Sequence, residues 1–194
     1  MKCMRNRQSK GELLAPAGSF SAGVHALRSG ADAVYLGLPS FSARKGAKNL
    51  TLDEFSRLKA LAESLGKRVY AALNTVIRDD ELPRAAALLY DLEALGTDGI
   101  IVQDPGLLDV LRKNFPRLAV HASTQMGVHN GSGVGFLKTL GVRRFILSRE
   151  LTLEEIARIR AAHPDVELEV FIHGALCYSF SGLCLASGML LGRS

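Results

Sequence analysis

Long apolar runs are missing from this 194-residue chain. A membrane-spanning helix needs about 18 or more such residues in a row, so none is expected. The leading segment is basic (Lys2, Arg5, Arg7, Lys10) but carries no apolar core, so it does not read as a secretory signal. Residues 1–10 are expected to be a disordered basic tail, ahead of a single domain over 11–194. Cysteine is scarce, and an odd count of three argues against a disulfide framework. Reduced thiols or metal ligands in the cytoplasm fit better. Excess charge of one sign is small: 24 basic and 19 acidic residues leave +5. That suits solubility and falls short of a dedicated RNA-binding patch. Several motifs are also missing. No Gly-x-Gly-x-x-Gly or P-loop phrase follows a strand candidate, and no His-Glu-x-x-His occurs. A nucleotide-binding sheet and a zinc peptidase both lose their main support.

What is present is one repeated phrase. Gly30, Gly66, Gly96 and Gly141 each close a helical pattern and are followed within a few residues by a β-rich run. The runs are Ala33–Leu36, Arg68–Leu73, Gly99–Val102 and Arg144–Leu147. Glu12–Ala15, Leu118–His121 and Glu167–Ile172 bring the strand candidates to seven, alternating with helices. Two helix starts are explicit: Thr51 before Asp53 and Glu54, and Thr152 before Glu154 and Glu155. Alternating β and α units predict an α/β fold with a parallel sheet. Polar residues end nearly every strand: Asn74, Gln103 with Asp104, His121 through Gln125, Ser148 through Glu150, and His173. Groups converging on one mouth favour a (β/α) TIM-type barrel, apparently incomplete with about seven strands and truncated at its C-terminal end. Asp104, Thr124 and Ser148 read equally well as helix caps and turn-formers.

The densest chemistry follows the last strand, where His173, Cys177 and Cys184 cluster. The Cys177-x₆-Cys184 spacing is too long for a usual zinc hook, and an iron–sulfur cluster needs about four thiolates. From the residues alone, packing, metal ligation and nucleophilic catalysis all stay open. Glu169 alternates with Phe171 and His173 and is expected to face the barrel interior, needing an Arg or His partner. The basic loop around Arg44 is suited to a carboxylate or phosphate.

Several phrases resemble peptidase family U32, catalogued as collagenase-like. They are Glu12 through Ser19, Gly30 through Gly37, Phe41 through Arg44, His121 through Met126, His129-Asn130, Arg149-Glu150 and the Cys177–Cys184 string. Ala186 departs from them, standing where a larger aliphatic residue is usual. The resemblance implies iron–sulfur-dependent, oxygen-independent hydroxylation of RNA bases or of a ubiquinone precursor, with prephenate as a candidate oxygen donor. It implies a 4Fe-4S cluster for which Cys177 and Cys184 supply two of four ligands. Arg44, Asn74 and Arg149 would then bind an anionic small molecule, with His121, Gln125, Glu150 and His173 as catalytic candidates. Alternatives are a thiol-dependent peptidase pairing Cys177 with His121 or His173, and a non-catalytic binding barrel.

Overall fold

The computed structural model describes residues 11–43, 49–174 and 178–182. The expected basic tail, Arg44, Cys177 and Cys184 lie outside the described residues. Seven strands form one parallel sheet in sequential order: β1 (Leu14–Pro16), β2 (Ala33–Gly37), β3 (Arg68–Leu73), β4 (Gly99–Val102), β5 (Val120–Ala122), β6 (Val142–Ile146) and β7 (Glu167–Glu169). Six helices connect them: α1 (Phe20–Arg28), α2 (Leu52–Ser64), α3 (Leu82–Ala94), α4 (Pro105–Asn114), α5 (Gly131–Thr139) and α6 (Leu153–Ala162). Each strand pairs with its sequence neighbour, so the sheet winds as a (β/α) barrel does, and among the described residues it is open between β1 and β7. No helix among the described residues is long and apolar enough to cross a membrane.

Local chemistry sets these elements. Thr51 and Thr152 both form full capping boxes, with Glu54 and Glu155 reaching back to the cap backbone. Gly66 and Gly96 leave α2 and α3 at φ +66° and +69°, where a side chain would be strained. The outer face of the sheet carries Val34, Val69, Ala71, Ile100, Val102 and Phe145 against Leu27, Phe55, Leu58, Leu89 and Leu107. Each fully buried residue of this size contributes about 1.5–3 kcal/mol. The inner face is smaller, with Ala33, Tyr70, Ala72, Ile101 and Ile146.

β7 is shorter than its apolar pattern predicts. It ends at Glu169 because its partner β6 ends opposite, at Ile146. Val170, Phe171 and Ile172 continue outside the sheet and are exposed. β1 and β5 are likewise shifted, starting at Leu14 and Val120 rather than Glu12 and Leu118.

A buried ion cluster ties the two sides of the barrel together. Arg144 of β6 is 8% exposed and reaches Glu12, just before β1, at 2.6 Å. It also grips Glu167 of β7 with a 2.6 Å bond from Nε. Arg68 pairs with the same Glu12, and the Tyr70 hydroxyl donates to it at 3.1 Å. Removing Arg144 leaves Glu12 with only Arg68 and Tyr70, and Glu167 to solvent. Arg144→Leu is therefore expected to lower the urea unfolding free energy by about 1.5–3 kcal/mol. An unfolding curve superimposable on wild type would contradict the cluster's structural role.

Candidate active site at the carboxyl end of the barrel

The interior has two storeys. In the lower one, His121 of β5 lies edge-on to Tyr70, ring centroids 4.7 Å apart. Gly99 makes room for it, since a Cβ there would stand 2.8 Å from the imidazole. His121 is only 4% exposed and so sits below the mouth expected for it. Burial, then the Arg144 and Arg68 cations, push its pKa down to about 3. The ring is neutral at physiological pH, and its Nδ1 is buried without a hydrogen-bond partner. Glu169 faces the same space, as its alternation with Phe171 and His173 suggests, with Arg144 Nη1 at 3.7 Å. Burial raises its pKa to about 7, against the attraction of Arg144.

The upper storey is the mouth. Asn74, at the end of β3, donates to Gln125 Oε1 at 2.8 Å and accepts from the Ala43 amide at 3.1 Å. Gln125 lies in a 3-10 turn, Thr124–Met126, begun by Ser123. Beside Asn74 opens a small cleft of about 70 Å³, with Gly18, Tyr35, Ser42, Asn49 and Ala72 among its lining. Gly37 is required here, because a Cβ would meet Ser42 Oγ at 2.2 Å. The two predicted residues Asn74 and Gln125 thus form one amide pair, of which Asn74 lines the cleft. Arg44, expected alongside, lies outside the described residues.

Across the mouth stand Arg149 and Glu150, after β6. Glu150 accepts from the Ser181 amide and hydroxyl, both at 2.6 Å. Burial alone would raise this carboxyl, but the Ser181 bonds and Arg149 outweigh it and bring the pKa to about 2. Arg149 Nη2 donates to the Ser179 carbonyl at 3.0 Å. His129, part of the family-like phrase but given no role from the sequence, completes this side. Its Nδ1 lies 2.7 Å from the Gly127 carbonyl, its Nε2 3.5 Å from Glu150, and its ring is stacked on Phe180 at 4.9 Å. It follows β5 by several residues, so strand-end counting passes over it. The left-handed Gly127, which turns the chain just ahead of it, was the available signal.

Other strand-end residues are structural. Asp104 caps α4 and accepts from Ile77, while Thr124 and Ser148 donate to the Leu147 and Val128 carbonyls. His173 is exposed beyond β7. No group of three or more His, Cys, Asp or Glu among the described residues is placed to hold a metal ion.

This arrangement, a parallel sheet winding through (β/α) units with polar groups gathered at the strand carboxyl ends, is that of a TIM-barrel-like protein. More narrowly, the chain belongs to peptidase family U32, whose model matches residues 18–194. It is 42% identical over 191 residues to the tRNA hydroxylation protein P of Haemophilus influenzae, covering 96% of this chain and 40% of that protein. It is 41% identical to a 23S rRNA 5-hydroxycytidine synthase of Escherichia coli, covering 94% of this chain and 27% of that one. A collagenase of Porphyromonas gingivalis is more distant, 28% identical over 91% of this chain and 44% of its own. The chain therefore spans under half the length of these curated relatives. Among solved structures, the U32 peptidase Mk0906 superposes with a TM-score of 0.67 at 19% identity, over 88% of this chain and 71% of that one.

The lumen carboxyl gives a pH test. A folded-state pKa of about 7 exceeds the ordinary 4.5, so native protein holds this proton longer than unfolded protein does. Glu169 thus stabilises the fold fully below about 4.5, and the contribution is lost as pH rises toward 7. Glu169→Gln should gain stability relative to wild type across that window and keep a constant advantage above it. Parallel urea midpoints from pH 4 to 8 would contradict the raised pKa.

Proposed function

We propose that this chain is the barrel portion of an enzyme that hydroxylates bases of RNA without molecular oxygen. The observation that carries the reading is the combination of about 40% identity to tRNA and rRNA hydroxylation proteins with a mouth built to hold a small polar molecule. RNA is favoured over a quinone precursor as substrate because those relatives are named for tRNA and rRNA.

Cys177 and Cys184 are proposed as two ligands of a 4Fe-4S cluster. The fit is supported by the five described residues between them, Tyr178–Gly182, which are held against the mouth by Arg149 and Glu150. A cluster bound there supplies Lewis-acidic iron and one-electron chemistry. The protein's own residues bind and orient. Asn74, held by Gln125 Oε1 and the Ala43 amide, keeps its second amide N–H for a ligand in the adjoining cleft. A dicarboxylate such as prephenate, the proposed oxygen donor, would find hydrogen-bond partners there, with the Arg44 loop supplying positive charge.

Proteolysis fits the interior poorly. A cysteine peptidase needs an imidazole that takes a proton near neutral pH. His121 is sealed beside Tyr70, with its pKa pushed to about 3.

Deleting the gene and analysing tRNA and rRNA nucleosides by mass spectrometry tests the substrate. A hydroxylated nucleoside should disappear and return with the wild-type gene. Asn74→Ala should restore it by less than about a tenth, since a positioning contact of this kind is commonly worth tenfold or more. An unchanged nucleoside profile in the deletion strain would remove RNA hydroxylation from consideration.

A further inference from the structure

Residues 179–181 are held one after another by side chains from two separate connections of the barrel. Arg149 takes the Ser179 carbonyl, His129 stacks against Phe180, and Glu150 accepts two bonds from Ser181. Arg149 and Glu150 come from the link between β6 and α6, and His129 from the link between β5 and α5. Ser181 is fully buried and sits at φ +47°, a conformation that non-glycine residues keep only when their surroundings impose it. Tyr178, just ahead of the grip, is fully exposed. The segment is therefore anchored at its centre by specific bonds and not by general burial.

We propose that Arg149, Glu150 and His129 are positioning residues that clamp the strap Ser179–Ser181, and thereby slow chemical modification of Cys177 and Cys184, which flank the strap in sequence. Glu150 is the keystone. Its carboxylate satisfies the Ser181 amide and hydroxyl together, and charge-assisted bonds of this length are the strong class. His129 joins the clamp through its ring, stacked on Phe180 at 4.9 Å. The clamp stands whatever the thiols bind. Its consequence for catalysis rests on the hydroxylation reading given above.

The test uses the intact chain with Glu150→Gln and, independently, Ser181→Ala, which alters the strap and leaves the barrel untouched. Hydrogen exchange of the Ser181 amide reads the clamp, thiol modification rates of Cys177 and Cys184 read its consequence, and urea midpoints check the fold. Loss of a bond to a charged group should speed both exchange and thiol modification on the order of tenfold at an unchanged midpoint. Faster exchange with wild-type thiol rates would overturn the positioning role. Wild-type exchange in a folded Glu150→Gln would overturn the clamp itself. An unchanged RNA nucleoside profile on gene deletion would count against the hydroxylation reading alone, because the exchange and thiol measurements do not depend on it.

Discussion

The guanidinium of Arg144 holds the barrel's two sides in register. It projects from β6 into a lumen with little water, where an unmatched cation costs several kcal/mol. Glu12, 132 residues earlier in the chain, and Glu167 on the next strand match it. Arg68 and the Tyr70 hydroxyl then complete Glu12. The Arg144 guanidinium also lies 5.0 Å from the Tyr70 ring centroid. Because one cation serves both sides, the sheet closes toward a barrel even though β1 and β7 are not joined. Burial governs the two titratable neighbours of this charge. It keeps His121 neutral, with Arg144 adding to the effect, and it holds the proton on Glu169 to unusually high pH against the attraction of Arg144.

Above that layer the mouth is divided. On one flank, an amide pair and a cavity are open to a small molecule. On the other, charged and aromatic side chains are already spent on the protein's own Ser179, Phe180 and Ser181. The division assigns different work to residues that look equivalent as a row of polar strand ends. Asn74 lines the cleft and is held there by Gln125, whereas Arg149 and Glu150 face the strap. A guanidinium bonded to a backbone carbonyl and a carboxylate bonded to a serine are oriented groups, and orientation of the segment between two cysteines is what they provide.

Much of the fold was legible because its causes are local. The helix–Gly–strand phrase placed four strands and the remaining apolar runs the other three, and Thr51 and Thr152 announced their capping boxes from the residues three positions on. Asp104 proved to be a cap, as its position allowed. Glu169 faces inward as expected, although Phe171 and His173, with which it alternates in sequence, lie beyond the strand and are exposed. Long-range pairing was not legible. No pattern joins Glu12 to Arg144, or Glu150 to Ser181, because partners so far apart in sequence meet only through the winding of the sheet. His121 was expected at the mouth for being the last residue of an apolar run, but β5 continues to Ala122 and buries it. His129 escaped notice because a turn, not a strand, delivers it.

Cys177 and Cys184, which flank the strap in sequence, are proposed to supply two of the four ligands of an iron–sulfur cluster. The most direct test is iron and acid-labile sulfide in the natural protein with all of its cysteines, isolated anaerobically from its own host beside Cys177→Ser and Cys184→Ser. Near-stoichiometric iron and sulfide are expected in wild type, with both lost in either variant. Iron-free wild type, or iron that survives both substitutions, would overturn the assignment.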